Sequence, residues 1–339
     1  MHNPESGIIL YAKKRNLTSF SSLWDIKHAL HTRKVGHTGT LDNFADGLLV
    51  VLTGSMTHLV GHITDFDKTY EAIIRFGIET DTLDPEGEPV KTAGLPSLQK
   101  LEEVLPGFIG SMSQIPPVYS ALHIDGKRAS DLARKGTIPV MNARPITVHT
   151  LNLIGVDNPD AVEYAHIRFC VSKGTYIRSL ARDIGCECSS CAHLVKLRRT
   201  HVGPFALCEA GNAGELEPFS LSMIASPSQS TELPVENEKQ KEQTYSLIRQ
   251  SLMSMSEEIA LRCGFSTALL KKEHEADFYN GKKLTDSSFL SFSSKGETAV
   301  FTQDSVFCGL VKKKGNTISY SFVIPRSKKD TISASKGDV

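Results

Sequence analysis

Residues 36–47 read Gly36-His37-Thr38-Gly39-Thr40-Leu41-Asp42-Asn43-Phe44-Ala45-Asp46-Gly47, and they lead directly into an apolar run at residues 47–54. The glycines, threonines and aspartates predict a loop over residues 35–47, and the apolar run predicts a buried strand. A loop on a rigid strand can present side chains to a ligand, because glycines allow tight backbone paths. Asp42 is therefore a candidate functional carboxylate, although an isolated aspartate in such a loop more often caps a turn.

Strand and helix patterns follow one another irregularly along the first part of the chain. Residues 70–76 alternate between two sides, which predicts a strand exposed on at least one face. Residues 98–108 and 176–184 have helical spacing, and residues 162–171 have the pattern of another strand. Because there is no regular βαβ rhythm, the sequence predicts an α+β fold in which helices pack against a sheet.

The second part of the chain has a different composition. Residues 219–250 have little apolar surface to bury, which predicts a linker or an inserted surface loop. Residues 251–326 contain three short strand patterns, and Gly315-Asn316 between the last two is a hairpin signal. The polar tail at 327–339 is expected to be disordered. These features predict a large domain at residues 1–218 followed by a small β-rich domain.

The bulk composition is that of a globular protein, with 40% hydrophobic and 22% charged residues in a chain of 339. The net charge is +0, so any nucleic-acid contact must come from local basic patches. No apolar run approaches the roughly 20 residues that cross a bilayer, and the N-terminus has no secretory pattern. We therefore expect a cytoplasmic protein without a membrane partner. Seven cysteines, an odd number, argue against a disulfide framework.

Several motifs carry a family resemblance beyond residues 36–42. They are Lys68-Thr69-Tyr70, Thr80-Asp81-Thr82-Leu83-Asp84-Pro85-Glu86-Gly87, the Gln114-Ile-Pro-Pro-Val-Tyr-Ser-Ala-Leu122 stretch, Ser172-Lys-Gly-Thr-Tyr-Ile-Arg178 and Leu197-Arg198-Arg199. With them the sequence resembles the TruB family of tRNA pseudouridine synthases. The resemblance covers roughly residues 7 to 217 and extends weakly to the end of the chain.

The resemblance implies a fold and an activity. The fold is a mixed, largely antiparallel central sheet flanked by helices, the pseudouridine synthase fold, followed by a small β-rich PUA-like domain. The activity is isomerisation of the uridine at position 55 in the T-loop of tRNA. No cofactor is expected, because the reaction has no redox step. The tRNA T-stem-loop is the expected partner, and the enzyme is expected to be a monomer without a guide RNA.

The resemblance also assigns the catalytic role to Asp42. A guanidinium beside a reactive carboxylate keeps it charged and aims it, and Arg178 is the implied partner. The carboxylate can attack the base, attack C1′ or remove a proton from the sugar, and the sequence leaves these three roles open.

Four further side chains are implied to bind the substrate. Tyr70 resembles the ring that stacks on the target base, Tyr176 a second aromatic wall, and Leu197 an apolar lining. The target uridine must leave its stack before it can react. His37 matches the residue that fills the vacated space, and the alternative is a neutral histidine in the core.

The basic candidates for RNA contact are Lys13, Arg198, Arg199, Lys312, Lys313 and Lys314. Each patch has the alternative of being an ordinary solvated face, and for residues 312–314 that alternative is a solvated β-turn. Lys13 belongs to an N-terminal family motif that is degraded here, so either a structural or an RNA-contact role is expected. Asn43 and Asp46 stand where the family usually has Pro and often has Thr, which predicts a looser turn after Asp42.

The cluster Cys186-Glu-Cys188-Ser-Ser-Cys191, with His193 nearby, raises the question of a zinc site. The spacing is uncommon for zinc fingers, so we expect no metal and interpret the cysteines as buried or half-buried thiols.

Two other functions compete with the enzyme. The chain could be a tRNA-binding protein that mainly assists folding, since exposing a T-loop base is itself a remodelling step. It could also be a guide-dependent relative that acts on ribosomal RNA, in which case it would not modify a naked tRNA transcript.

Overall fold

The computed structural model describes residues 6–224, 237–292, 296–315 and 317–325. In chain order, the strands of the first part are β1 (Ile8–Lys13), β2 (Val35–His37), β3 (Asp46–Thr53), β4 (Lys68–Phe76), β5 (Ile78–Thr80), β6 (Pro89–Thr92), β7 (Gly110–Gln114), β8 (His123–Ile124), β9 (Lys127–Arg128), β10 (Arg144–Val156), β11 (Tyr164–Val171), β12 (Ala192–Val202) and β13 (Phe205–Ala206). Nine of these strands form one sheet, and the pairs β5-β6 and β8-β9 form separate ribbons.

The large sheet has the order β1-β3-β12-β4-β11-β10-β7, with β2 beside β3 and β13 beside β12. The β12-β3 pair is parallel, while the other pairs of the sheet are antiparallel. The predicted mixed, largely antiparallel sheet is thus confirmed. The predicted buried strand is β3, in which every residue is buried because both faces of the strand are covered.

The helices are α1 (Leu23–Ala29), α2 (Val60–Thr64), α3 (Leu98–Val104), α4 (Ala129–Arg134), α5 (Ile177–Glu187), α6 (Glu238–Gln250), α7 (Glu257–Arg262) and α8 (Glu275–Tyr279). In α5, Ile177, Leu180, Ala181 and Ile184 repeat at helical spacing and are buried against the sheet. This packing fixes the start of α5 beside the end of β7. Among the described residues, no helix combines the length and the apolar character needed to cross a bilayer.

The predicted strand at residues 70–76 is β4, which begins two residues earlier, at Lys68. Its side chains at positions 70, 72, 74 and 76 all face the large apolar core, as the alternation predicts. The other side carries Glu71 and Arg75, which form ion pairs with Arg168 and Glu163. One face of β4 therefore supports the site, and the other carries the ion-paired Glu71 and Arg75 around the buried Ile73.

The C-terminal part forms a second sheet from β14 (Ser266–Leu270), β15 (Phe289–Phe292), β16 (Glu297–Phe301), β17 (Phe307–Lys314) and β18 (Thr317–Val323). Its order is β15-β14-β16-β17-β18. Pairing of β17 with β18 matches the predicted hairpin, although Asn316 lies outside the described residues. The small β-rich unit is confirmed.

The two sheets share one apolar core. Ile8, Leu10 and Leu48 from the first sheet pack in the same cluster as Phe301 and Phe307 from the second. A backbone bridge between Ile8 and Met253 adds two hydrogen bonds, of 2.8 and 2.9 Å. The C-terminal unit is therefore docked on the first unit through buried apolar surface.

Two expectations differ from the structure. Residues 238–250 of the expected linker form α6, which packs on α1 through Tyr245 and Ile248. Its start is capped by Asn237, whose side chain accepts from the amide of Gln240 at 2.9 Å. Likewise, Val35–His37 of the expected loop is a short strand paired with β3. Residues 225–236 and the tail at 327–339 lie outside the described residues.

Candidate active site

The loop between β2 and β3 carries Asp42 at the surface while its neighbours are anchored. Ser19 Oγ accepts a hydrogen bond from Leu41 N at 2.8 Å. Lys13 Nζ donates to Ala45 O at 2.6 Å. The Asp42 side chain remains 36% exposed. The carboxylate is therefore accessible on a backbone that is fixed on both sides.

Arg199, on β12, joins the two ends of this loop. Its Nε donates to Leu48 O at 2.8 Å and its Nη2 donates to Gly39 O at 3.0 Å. Gly47 crosses directly over its backbone, because φ is +111° and a Cβ there would lie 2.3 Å from Arg199 O. Arg199 borders the cleft but is only 1% exposed, so the structure does not support the expected RNA contact. Its guanidinium is used inside the protein to shape the loop that carries Asp42.

Arg178 and Asp42 form the ion pair that the sequence predicts. Nη2 of Arg178 donates to Oδ1 of Asp42 at 3.0 Å, and Nε lies 3.0 Å from Oδ2. The two residues are 136 positions apart in the chain. The Nη2 contact is a hydrogen bond, whereas Nε has an ionic contact without hydrogen-bond geometry. Together the two contacts hold the carboxylate beside the guanidinium.

A second carboxylate, Asp84, holds the other edge of the guanidinium. Nη1 of Arg178 donates to Asp84 Oδ2 and to Thr82 O, both at 3.0 Å, and Nη2 also donates to Tyr119 O at 3.0 Å. Burial raises the pKa of Asp84, and Arg178 opposes that shift. The sequence assigns no role to Asp84, and the available signal is that Asp84 belongs to the family-like motif at residues 80–87.

Asp42 and Arg178 line a cleft of about 760 Å³ together with the predicted substrate-binding residues Tyr70, Tyr176 and Leu197. This volume suits a small-molecule or single-nucleotide ligand. Tyr70 and Tyr176 are half-buried, and Leu197 is 5% exposed. The cleft therefore combines one accessible carboxylate with two aromatic rings and an apolar surface.

Tyr176 is fixed from behind by the last residue of β7. The side-chain oxygen of Gln114 accepts from Tyr176 N at 2.9 Å, and its amide donates to Tyr176 O at 3.1 Å. Burial raises the pKa of the Tyr176 hydroxyl. The backbone that carries the ring is thus fixed, and the hydroxyl is a neutral phenol at neutral pH.

Residues 27–177 match the family described as "TruB family pseudouridylate synthase (N terminal domain)". The tRNA pseudouridine synthase B of Treponema denticola is 40% identical over an alignment of 349 positions, which covers 94% of this chain and 98% of that protein. The protein of the same name from Treponema pallidum (strain Nichols) is 34% identical, with 93% and 96% covered. This chain belongs to the TruB family.

Two solved structures are similar to this TruB-family chain in fold. One is described as "Structure of H/ACA RNP bound to a substrate RNA containing 2'-deoxyuridine", with a TM-score of 0.62 at 20% identity, covering 95% of this chain and 86% of the other. The other is "Crystal Structure of a Cbf5-Nop10-Gar1 Complex", with a TM-score of 0.63 at 22% identity, covering 96% and 87%. The central sheet and the separate C-terminal sheet thus have the pseudouridine synthase fold with a PUA-like unit.

His37 occupies a different setting from the other predicted residues of this TruB-family site. It lies on β2, two residues before Gly39, and it does not line the cleft. Burial and the nearby Arg199 guanidinium lower its pKa. The half-buried imidazole is therefore neutral at neutral pH, as in the alternative of a neutral histidine.

Lys13 and Arg198 are held by the protein, so the structure does not support their expected RNA contacts. Lys13 is fully buried, and burial lowers its pKa to about 8. Arg198 binds both carboxylate oxygens of Asp46, at 2.6 and 2.9 Å, and lies over the Phe219 ring. Lys13 holds a backbone carbonyl and Arg198 holds the Asp46 carboxylate, both next to the loop that carries Asp42, because buried charges require partners.

The lysines of the hairpin differ from one another. Lys312 and Lys314 are exposed on β17, whereas Lys313 points to the other side and forms an ion pair with Asp286. Alternation along the strand explains this difference. Lys312 and Lys314 thus remain candidates for contact with RNA.

Four exposed basic residues that sequence reasoning did not select line the cleft: Arg128, Arg134, Arg144 and Lys173. Lys173 forms an ion pair of 2.8 Å with Asp65, and both side chains are more than half exposed. Such a surface pair is weak and can exchange its partner for a phosphate. Lys173 could have been found, because it lies inside the quoted motif at residues 172–178.

The cysteine cluster is dispersed in the fold. Cys186 is exposed, Cys188 and Cys191 are buried, and Nδ1 of His193 lies 2.7 Å from the carbonyl oxygen of Ile78. Burial raises the pKa of the Cys188 thiol to about 11. Among the described residues, no three His, Cys, Asp or Glu side chains are grouped so that they could hold a metal ion.

Proposed function

We propose that this chain converts uridine to pseudouridine at position 55 in the T-loop of tRNA, with Asp42 as the catalytic carboxylate. The observation that carries this proposal is the pairing of an exposed carboxylate with a buried guanidinium on the wall of a cleft. The names of the Treponema relatives supply the substrate class, tRNA. The choice of position and the role of each side chain are proposals that follow from the chemistry.

The reaction breaks the N1–C1′ bond, turns the uracil and joins C5 to C1′. The hydrogen on C5 is lost, N1 gains one, and no electrons enter or leave the system, so no cofactor is required. Whether Asp42 attacks the base, attacks C1′ or removes a sugar proton, one carboxylate oxygen must face the nucleoside while the group stays oriented. Arg178 supplies the orientation through its two contacts with Asp42.

The target base must leave the T-loop to reach Asp42, at a cost of about a few kcal/mol. Tyr70 offers a ring on which the uracil can stack in any orientation, which the turning of the base requires. Tyr176 and Leu197 close the pocket and exclude water around the cleaved bond. His37 is neutral and lies two residues before Gly39, which lines the cleft. Its imidazole is the proposed ring that fills the space left in the RNA by the target base.

The surrounding RNA is held through its phosphates. Arg128, Arg134, Arg144 and Lys173 line the same cleft as Asp42, and all four are exposed. We assign catalysis to residues 1–218 and a second tRNA contact, through Lys312 and Lys314, to residues 251–326. No guide RNA or protein subunit is needed in this arrangement, because the cleft itself carries the basic contacts.

The test is incubation of the purified protein with an unmodified tRNA transcript, without guide RNA and in the presence of a chelator. Pseudouridine mapping should show a single modified site, position 55. A transcript with cytidine at that position is the matched control and should remain unmodified. Modification elsewhere, or a requirement for a guide, would overturn the proposed substrate.

A second function, assistance of tRNA folding, is favoured by the same basic residues, because their contacts extend beyond one nucleotide. Asp42→Asn separates the two functions. A variant that has lost modification but still accelerates folding of a misfolded transcript would establish the binding role. If Arg144→Ala combined with Lys173→Ala leaves folding assistance at the wild-type level, the cleft does not carry it.

A further inference from the structure

Two surface loops meet beside Asp42 through a single side-chain contact. Nδ2 of Asn43, the residue after Asp42, donates to Oε1 of Glu86 at 2.7 Å. The backbone amide of Glu86 in turn donates to Oδ1 of Asp84 at 3.1 Å. Since Asp84 and Asp42 both bind Arg178, these contacts form a closed ring that runs Asp42, Arg178, Asp84, Glu86, Asn43.

We propose that Asn43 and Glu86 are positioning residues that keep Asp42 aligned during the reaction, a role that rests on the function proposed above. The TruB family usually has proline at the position of Asn43, and a proline side chain cannot donate this hydrogen bond. The sequence predicts a looser turn from this replacement. In the structure, the asparagine side chain connects the turn to the neighbouring loop.

The backbone on both sides of the contact is already fixed, so the bond joins two rigid segments. The carbonyl oxygen of Asn43 accepts from Asn16 N at 2.9 Å. On the other side, a Cβ on Gly87 would lie 2.3 Å from Thr82 Oγ1, which shows how tightly the 80–87 loop turns. Glu86 is therefore directed toward Asn43 by a loop that also carries Asp84.

The ring matters because Asp42 cannot rely on Arg178 alone. During the reaction one of its oxygens must turn to the nucleoside, which loosens one of the two contacts with the guanidinium. The position of the Asp42 backbone then depends on its neighbours. The hydrogen bond from Asn43 to Glu86 connects the loop that carries Asp42 to the 80–87 loop, which Asp84 anchors to Arg178. This connection limits movement of the Asp42 backbone.

The test uses Asn43→Ala, Glu86→Ala and the double variant. Each single variant should lower kcat about three- to tenfold while the Kd for tRNA stays unchanged, as expected for loss of one hydrogen bond. The double variant should be no slower than the slower single variant, because both changes remove the same contact. Glu88→Ala, in the same region but outside the ring, is the matched control and should have the wild-type kcat.

A polarity swap distinguishes positioning from a general structural effect. Asn43→Asp alone places two carboxylates at a contact of 2.7 Å and should lower kcat further. Asn43→Asp combined with Glu86→Gln restores a donor and an acceptor in nearly the same shape, and kcat should recover. Additive single effects, a change in Kd without a change in kcat, or failure of the swap to recover any activity would overturn the proposal.

A measurement without turnover separates this inference from the proposed function. Amide hydrogen exchange at residues 41–46 and 82–86 should accelerate together in either alanine variant, because each loop loses the same support. If Asp42→Asn still makes pseudouridine, the catalytic assignment fails while coupled exchange still supports the ring. Exchange that changes in only one of the two loops would contradict the ring itself.

Discussion

Nη1 of Arg178 donates to Oδ2 of Asp84 at 3.0 Å, and each side chain is only 6% exposed. This buried contact turns the guanidinium so that its Nε and Nη2 face Asp42. The accessible carboxylate of Asp42 is therefore oriented through Arg178 by the buried carboxylate of Asp84, which does not line the cleft.

Replacing Asp84 by asparagine keeps the size of the side chain but removes its charge. The guanidinium loses one of its two carboxylate partners and becomes free to tilt, and misplacement of this kind can cost on the order of tenfold or more in kcat. Steady-state kinetics with a tRNA transcript should show a lower kcat at unchanged KM. Glu88→Gln is the control. A wild-type kcat for Asp84→Asn would mean that Asp84 does not aim Arg178.

Lys13 makes the stability depend on pH. Burial lowers its pKa from 10.5 to about 8, so between these values the unfolded chain binds more protons there than the folded chain. The contribution of Lys13 to stability therefore rises with pH across this window and is smallest below pH 8. The difference in unfolding free energy between wild type and Lys13→Met should rise by up to about 1.4 kcal/mol per pH unit. Urea unfolding at pH 8, 9 and 10 measures it, and a constant difference would refute the shift.

Arg199 should affect stability and not the attraction to RNA. Arg199→Leu leaves the carbonyls of Leu48 and Gly39 without their donor, which should lower the free energy of unfolding by about 2–4 kcal/mol. The slope of log K for tRNA binding against log salt should stay the same, whereas Lys173→Ala should reduce its magnitude by roughly 0.7–0.9. Equal slopes for the two variants would contradict the division between a buried and an exposed cation.

The hairpin lysines give a prediction about substrate length. Lys312→Ala combined with Lys314→Ala should weaken binding of full-length tRNA several-fold, because two phosphate contacts are lost. Binding of an isolated T-stem-loop should not change. Lys313→Ala is the matched control, because its amine already pairs with Asp286. If the double variant bound full-length tRNA and the isolated T-stem-loop with equally weakened affinity, the hairpin would contact the T-stem-loop and not another part of the tRNA.

Local patterns were sufficient for the elements that support the site. The apolar run before Gly54 predicts β3, the alternation from Tyr70 predicts β4, and the helical spacing after Tyr176 predicts α5. The contact of Asp42 with Arg178 is different, since no local rule joins residues 136 positions apart. That pairing was predicted only through the family resemblance, and the structure bears it out as a contact.

The sequence does not reveal the partners of charges that lie far apart along the chain. Lys13, Arg198 and Arg199 look like solvated cations in the sequence, and in the fold they are held by carbonyls or by Asp46. Helix α6 was missed because its composition is polar. Its buried stripe consists of little more than Tyr245 and Ile248, and it is stable only because α1 offers a surface for them.

The most direct test of the central claim is a single-turnover measurement on Asp42→Asn with an unmodified tRNA transcript, alongside binding of the same transcript. Formation of pseudouridine should slow by at least about a thousandfold, the scale on which loss of a catalytic group is felt. Binding should persist, because the aromatic and basic contacts of the cleft are retained. Pseudouridine formation at the wild-type rate would contradict the assignment of Asp42 as the catalytic carboxylate.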